Sequence, residues 1–116
     1  MNPSLSVLIV DDNAKMRSMI ADIIKHKTSK IFECSDGMDA LAEYNLHRPD
    51  WVVMDVKMNY IDGLTATGMI HQYFPKAKIM IVSQDDTKAI RQAAYRVGAS
   101  AFVGKENLLG ILDTLK

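Results

Sequence analysis

The feature that most constrains the fold is an uninterrupted apolar run at residues 51–54, which ends in Asp55 and is soon followed by the turn residues Asp62 and Gly63. An unbroken run of this kind, rich in β-branched residues, indicates a strand that is buried on both faces, as in a parallel sheet. Asp55 then lies at the carboxyl end of the strand, where open parallel α/β sheets collect ligands and chemistry. The plain alternative is a turn-forming Asp, since Asp is frequent in turns.

The same order, an apolar run and then a helical pattern, occurs five times along the chain. We predict strands at residues 5–10, 31–34, 51–55, 79–83 and 101–103, with helices that begin near residues 13, 37, 63, 87 and 108. The first helical stripe consists of Met16, Met19, Ile20, Ile23 and Ile24, with Asn13 or Asp12 as the N-cap. Strands that alternate with helices predict a flavodoxin-like, doubly wound (βα)5 α/β sandwich with a five-stranded parallel sheet in the order 2-1-3-4-5.

Length, charge and cysteine content exclude several classes of protein. A chain of 116 residues with 48% hydrophobic and 24% charged residues is typical of one globular domain, so we predict a single domain over residues 1–116. The formal net charge of zero argues against direct binding to nucleic acid or to an acidic membrane surface. The chain has one cysteine, Cys34, which we interpret as a core residue, and it has neither a bilayer-spanning run nor a signal peptide, so we predict a cytoplasmic protein.

Four of the five predicted strands deliver a polar group at the carboxyl end. These groups are Asp11 and Asp12 after the first strand, Asp55 after the third, Ser83 after the fourth and Lys105 after the fifth. In the predicted strand order, the three carboxylates converge on the crevice between strands one and three. Because crowded carboxylates repel one another, a hard cation with oxygen ligands such as Mg²⁺ would stabilise them.

Each of these residues also has an ordinary structural interpretation. An Asp pair before a helix usually serves as a cap, Ser83 alone is most often a turn residue, and a lysine such as Lys105 is usually solvated. The methionines at positions 16, 19, 54, 58 and 80 are interpreted as core filler rather than as metal ligands. The joint arrangement favours chemistry, because a cation flanked by Lys105 and Ser83 suits an anionic phosphoryl group. Asp55 would then be free to act as a nucleophile and form an aspartyl phosphate.

With these residues identified, the chain resembles the receiver domains of two-component response regulators over essentially its full length. The matching segments are residues 7–12, 55–58, 62–63, 81–83 and 98–105. The resemblance implies that Asp55 is the phosphoacceptor and that Asp11, Asp12, Asp55 and the backbone carbonyl of Lys57 hold Mg²⁺. It also implies that Ser83 and Lys105 contact the phosphoryl group and that Phe102 is an aromatic switch residue. The predicted strand order rests in part on this resemblance.

The function implied by the resemblance is a phosphorylation-dependent signalling switch that assists its own phosphorylation and dephosphorylation and is not an enzyme acting on other substrates. The phosphodonor would be a sensor histidine kinase or a phosphotransfer protein. Phosphorylation would repack the face formed by the fourth helix, the fifth strand and the fifth helix, where Lys88, Arg91 and Tyr95 form an exposed strip. That face would control an output domain or a homodimer. The second half of the chain is most similar to nitrate-regulator-type receivers that precede a helix-turn-helix output domain for transcription regulation, so the chain would be a stand-alone receiver or a piece of a longer regulator.

Three residues depart from the family pattern. Asn59 and Glu106 occupy positions where proline is common, and Gln84 occupies a position where a small residue is usual. These changes affect the rigidity of the loop after Asp55, the aim of Lys105 and the access of phosphodonors, respectively.

Two other functions remain open from the sequence. A metal-dependent aspartyl phosphatase would need a second acid two residues after its nucleophile, and that position is Lys57. A binding module that is never phosphorylated is also compatible, because a fold does not determine a function. Flavin binding is disfavoured, since Asp11 and Asp12 would repel a phosphate at the first strand end.

Overall fold

The computed structural model describes residues 5–115. Its strands are β1 (Leu5–Val10), β2 (Thr28–Cys34), β3 (Trp51–Asp55), β4 (Ile79–Ser83) and β5 (Ala101–Gly104). They alternate with the helices α1 (Ala14–Ile24), α2 (Gly37–His47), α3 (Gly63–Tyr73), α4 (Lys88–Arg96) and α5 (Gly110–Thr114). Short 3₁₀ helices, Lys25–Lys27 and Lys105–Asn107, follow α1 and precede α5. Residues 1–4, where we found no signal peptide, and residue 116 lie outside the described residues.

The strands form one parallel sheet in the order β2-β1-β3-β4-β5, which confirms the predicted fold and strand order. The register brings the carboxyl ends of neighbouring strands level with one another. Val10 pairs with Met54, and Asp55 pairs with Val82. Ser83 pairs with Gly104. The residues that follow β1, β3, β4 and β5 therefore emerge along one edge of the sheet.

Two apolar layers cover the sheet, one on each face. On one face, residues of β1, β3 and β4 such as Leu8 and Met54 pack with α2, α3 and α4. On the other face, the alternate strand residues, such as Ile9 and Val53, pack with α1 and α5. Every residue of β3 and β4 is buried, as expected for central parallel strands. No helix within residues 5–115 combines the length and the apolar character needed to cross a lipid bilayer.

Side-chain caps define where four of the helices begin. The caps are Asn13 for α1, Asp36 for α2, Asp62 for α3 and Thr87 for α4, and each accepts a hydrogen bond from a backbone N–H in the first turn. Of the two N-cap residues considered for the first helix, the structure selects Asn13, whose Oδ1 accepts from the Met16 N–H at 3.1 Å. Because each of these helices follows a parallel strand, the capped helix starts lie toward the carboxyl edge of the sheet, where the polar residues gather.

Three details differ from the sequence prediction. The strand predicted at residues 31–34 begins at Thr28. The prediction missed its first residues because β2 is an edge strand, in which the exposed Ser29 and Lys30 interrupt the apolar pattern. The last helix is shorter than predicted and begins only after a 3₁₀ turn. Met19 is 49% exposed, so placing this side chain in the core was wrong. It lies at the margin of the helical stripe of α1, where Ile20 occupies the buried position.

Candidate functional site

A group of polar side chains lies in a cleft at the carboxyl edge of the sheet. The cleft has a volume of about 710 Å³. The loops after β1, β3, β4 and β5 all contribute to it. Its lining includes every polar residue that we predicted from the strand ends, namely Asp11, Asp12, Asp55, Ser83 and Lys105, together with Lys57. The crevice predicted from strand order is therefore present.

Three carboxylates meet in this cleft. Asp11, Asp12 and Asp55 each place one oxygen so that these atoms lie within 4.8 Å of one another. Asp11 and Asp55 are buried, whereas Asp12 is exposed at the rim. The cluster arises because β1 and β3 are neighbours whose carboxyl ends are in register. An all-oxygen set with one solvent-facing side matches the preference of Mg²⁺, which binds through one or two carboxylates and keeps several waters.

Lys105 faces the cluster from the opposite wall. Its Nζ lies 2.9 Å from Asp55 Oδ1 and 3.6 Å from Asp11 Oδ2. Lys105 opens the 3₁₀ helix directly after β5, and its side chain is only 18% exposed. The site thus contains a fixed cation that reaches both buried carboxylates.

Burial and these charges shift the pKa values in the cleft. Burial raises the pKa of Asp55, and the hydrogen bond from Lys105 offsets only part of that rise. Burial also raises the pKa of Asp11, against the Asn13 N–H and Lys105, which lower it. Burial opposes the charged form of Lys105, but its hydrogen bond and charge interaction with Asp55 outweigh burial and raise the pKa of Lys105. Burial thus disfavours the ionised forms of Asp11 and Asp55 even beside the Lys105 ammonium group. A second cation in the cleft would stabilise these ionised forms.

Arg17 supports the backbone of Asp11 through a contact that we did not predict. The Arg17 side chain is half-buried, and its Nη1 donates to the Asp11 carbonyl oxygen at 2.7 Å. Its Nε donates to Glu33 Oε1 on β2 at 3.0 Å. The Asp11 side chain is held as well, because its Oδ1 accepts from the Asn13 N–H at 2.9 Å. The loop that carries Asp11 is therefore held from both sides.

Ser83 and Phe102 occupy the places that we predicted for them on neighbouring strands. Ser83 is 3% exposed at the end of β4, where it lines the cleft. Phe102 lies on β5, one residue before the pair partner of Val82, and this residue is 8% exposed in the layer that packs against α4. Arg91 of α4 covers that ring with its guanidinium carbon 4.6 Å from the ring centroid. Phe102 is thus turned inward in this structure.

Arg91 is itself held in place over the ring. It forms a two-pronged ion pair with Asp86, which lies in the loop between β4 and α4. That interaction lowers the pKa of Asp86. Of the exposed strip predicted on α4, Lys88 and Tyr95 are exposed, and Arg91 is exposed but engaged with both Asp86 and Phe102.

The departures from the family pattern lie around the cleft. Gln84 and Glu106 are exposed and line its rim, where they face any molecule that enters. The loop that contains Asn59 is held by Asp36, whose carboxylate accepts hydrogen bonds from the Tyr60 and Ile61 N–H groups. Asp36 gives no sequence signal for this contact, because its loop partners lie 24 and 25 residues away.

The arrangement supports one kind of chemistry. A buried carboxylate at a strand end faces a lysine, a buried hydroxyl and two further acids that can hold a hard cation. Such a site can bind a phosphoryl group between positive charges and present a carboxylate oxygen to its phosphorus atom.

Known proteins resemble this chain in sequence and in fold. The family model for the response regulator receiver domain matches residues 7–114. The chemotaxis protein CheY of Bacillus subtilis (strain 168) is 38% identical over 100 residues, which cover 85% of this chain and 83% of that protein.

Two solved structures show the same fold. A LuxR-family two-component response regulator from Aurantimonas sp. SI85-9A1 superposes with a TM-score of 0.89 at 26% identity, covering 95% of this chain and 81% of that one. The response regulator domain of Thermotoga maritima CheB superposes with a TM-score of 0.82 at 28% identity, covering 94% of this chain and 91% of that one.

Proposed function

The chain belongs to the response regulator receiver domain family, and from that premise we propose that it is a phosphorylation-dependent signalling switch in which Asp55 accepts a phosphoryl group. The observation that carries the proposal is the contact between Lys105 Nζ and the buried Asp55 Oδ1 at 2.9 Å, beside two more carboxylates. In this proposal residues 1–116 form one receiver domain that acts as a switch and not as an enzyme turning over a substrate.

The proposed phosphodonor is a phosphohistidine of a sensor histidine kinase or a phosphotransfer protein. An Asp55 carboxylate oxygen attacks phosphorus in line, and the bond between phosphorus and the donor imidazole nitrogen breaks. The electron pair of that bond returns to the imidazole, which takes up a proton from solvent. Lys105 moves from the carboxylate to the phosphoryl oxygens, and the Ser83 hydroxyl donates to another of them.

The metal site fits Mg²⁺, with Asp11, Asp12, Asp55 and the Lys57 carbonyl as proposed ligands. When bound, the ion would neutralise charge on the transferring phosphoryl oxygens. Burial raises the pKa values of Asp11 and Asp55. The ion would lower both pKa values again, because a nearby cation favours the ionised forms of these acids. The same residues would support loss of the phosphoryl group to water.

The proposed output is a repacking of the face formed by α4, β5 and α5. A phosphoryl group adds charge and strong acceptors at the end of β3. Ser83 would respond directly, and its pairing with Gly104 connects it to β5, which carries Phe102. The α4 surface with Lys88 and Tyr95 is exposed and therefore available to an output domain, a second copy of the chain or another partner. We propose transcription regulation as one such output.

Binding of beryllofluoride with Mg²⁺ tests both the site and the switch. We expect amide resonances of residues 83–110 to shift in the native protein and to stay unchanged in Asp55→Asn, which lacks the oxygen that beryllofluoride needs. Shifts confined to the cleft loops would show phosphoryl binding without the proposed repacking. No shift in the native protein at saturating Mg²⁺ would contradict the switch.

A further inference from the structure

Asp36 has more hydrogen-bond partners than a helix cap requires. Its carboxylate caps α2 by accepting from the Met38 N–H at 2.8 Å. The same side chain also accepts from the Tyr60 N–H at 3.0 Å and the Ile61 N–H at 3.2 Å. Tyr60 and Ile61 belong to the loop between β3 and α3, which begins directly after Asp55. One carboxylate therefore joins the start of α2 to the loop of the candidate site.

The neighbouring residue, Gly37, makes room for this contact. A Cβ added at Gly37 would lie 2.5 Å from the Ile61 carbonyl oxygen and 3.0 Å from the Ala66 Cβ. Any larger residue at position 37 would therefore push the loop away from α2. Asp36 accepts hydrogen bonds from the loop N–H groups, and the absence of a side chain at Gly37 lets Ile61 approach α2 closely. Two adjacent residues therefore allow the loop at residues 59–61 to pack against the start of α2.

The electrostatics of Asp36 agree with this geometry. Asp36 is only 6% exposed, and burial alone would raise its pKa. The backbone N–H groups of Met38, Tyr60, Ile61 and Asn59 outweigh burial and lower the pKa of Asp36. The Asn59 N–H is a donor that a proline would lack. The loop that departs from the family pattern at Asn59 thus gains an anchor that the proline could not use.

The held loop controls the backbone of the candidate metal site. The Gly63 N–H donates to the Val56 carbonyl at 2.7 Å, which closes residues 56–63 into a compact loop. Gly63 itself lies so close to the Asp55 carbonyl that any Cβ there would overlap it. Lys57 lies between these closed ends and the residues that Asp36 holds, so the position of its carbonyl depends on both contacts.

We propose that Asp36 is a positioning residue for the Mg²⁺ site, because it fixes the loop after Asp55 and so aims the Lys57 carbonyl at the cation. The inference rests on the proposed function for the identity of the cation and for the role of Lys57. It differs from helix capping, which uses only the contact with Met38. A capping role changes the free energy of unfolding, whereas a positioning role also changes cation affinity in the folded protein.

The variant Asp36→Asn separates the two roles. Asn retains an oxygen that caps α2, but its amide group places N–H donors where one carboxylate oxygen now faces the loop N–H groups. We expect Mg²⁺ affinity, measured by calorimetry on the folded protein, to fall about tenfold, as for other outer partners of metal ligands. Amide hydrogen exchange at residues 57–61 should accelerate. The control Asp39→Asn removes an exposed charge from the first turn of the same helix and should change neither quantity.

The variant Gly37→Ala tests the same contact from the other side. Ala is the better helix former, so without the loop contact it would stabilise α2 and leave Mg²⁺ affinity unchanged. We expect weaker Mg²⁺ binding and faster exchange at residues 57–61, with the Asp36 carboxylate intact. Native Mg²⁺ affinity and native exchange in both variants would overturn the proposal and leave Asp36 as a cap only.

The native protein separates this inference from the proposed function. If the native chain binds Mg²⁺ but takes no phosphoryl group, the proposed switch fails while the role of Asp36 is still decided by the two variants. If the native chain binds no Mg²⁺, both proposals are wrong.

Discussion

The Lys105 ammonium group contacts Asp55 Oδ1 at 2.9 Å and also reaches Asp11 Oδ2 at 3.6 Å. One cation thus bridges the proposed phosphoacceptor on β3 and an acid on β1. The contact gives Lys105 two tasks in the proposed mechanism: it holds buried carboxylates together and later offsets charge on the phosphoryl oxygens.

Removing this cation should slow phosphorylation far more than it changes the fold. We expect Lys105→Met to reduce the rate of phosphorylation by acetyl phosphate about 100-fold, the scale of losing one preorganised donor. The exposed Lys76, in the loop before β4, gives the matched control Lys76→Met, which should keep the native rate. Time-resolved intact-mass measurement gives both rates. Equal rates in the two variants would show that Lys105 is only a structural counterion.

The raised pKa of Asp55 makes stability depend on pH in a defined direction. Burial, only partly offset by Lys105, raises this pKa above the ordinary value of 3.8, so the folded protein binds the proton more tightly than the unfolded chain. The resulting stabilisation is complete below the unfolded pKa and is lost as pH rises through the folded pKa. Asp55→Asn cannot ionise and should therefore gain stability relative to the native protein as pH rises from about 3 to about 7.

Urea unfolding at several pH values, without divalent cations, measures this difference. A stability difference that does not change with pH, or one that falls as pH rises, would mean that Asp55 ionises as readily in the folded protein as in the unfolded chain. The matched control is Asp62→Asn, which makes the same substitution at the exposed N-cap of α3.

The thiol of Cys34 should react slowly in the folded protein. Burial raises its pKa from 9.0 to about 11, so the reactive thiolate is about 100-fold scarcer near neutral pH than for a free thiol. We expect alkylation by iodoacetamide at pH 8 to be slower by about this factor in the native protein than in urea. Comparable rates would show that Cys34 is an exposed, reactive thiol and not a core residue.

Because both faces of the sheet are buried, we expect a Leu→Ala substitution to lower the free energy of unfolding much more on a strand than at an exposed helix position. Leu8 on β1 is fully buried, so Leu8→Ala should cost about 2–5 kcal/mol of unfolding free energy. Leu46 on α2 is 71% exposed, and Leu46→Ala should stay within about 0.5 kcal/mol of the native protein. Denaturant melts of both variants measure the contrast. Similar costs would contradict the assignment of Leu8 to the core.

The strands and the acidic cluster could be predicted because both follow from short patterns in the chain. The run that ends in Asp55 and the run that ends in Asp11 are continuous, and parallel order brings their ends together. The edge strand β2 was predicted three residues too short because its start is polar and half of it faces water. Strand order itself depended on the resemblance to a family as well as on the residues.

Contacts between distant segments could not be predicted in the same way. Arg17 is a charged residue off the apolar stripe of α1, yet it donates to the Asp11 carbonyl across the start of that helix. Asp36 directly precedes a predicted helix, yet its loop partners are 24 and 25 positions away. Arg91 looked like part of a free strip, yet Asp86 holds it over Phe102. In each case a polar side chain makes a contact that forms only in the folded protein, and such a contact has no periodic pattern in the sequence.

The measurement that tests the central proposal most directly is the intact mass of the protein after incubation with acetyl phosphate and Mg²⁺. The proposal predicts that the native chain gains one phosphoryl group and that Asp55→Asn gains none. Peptide mapping should place the group at Asp55, and removal of Mg²⁺ with a chelator should prevent the gain. A native chain of unchanged mass, or an Asp55→Asn variant that gains the group equally well, would contradict the proposal that Asp55 is the phosphoacceptor.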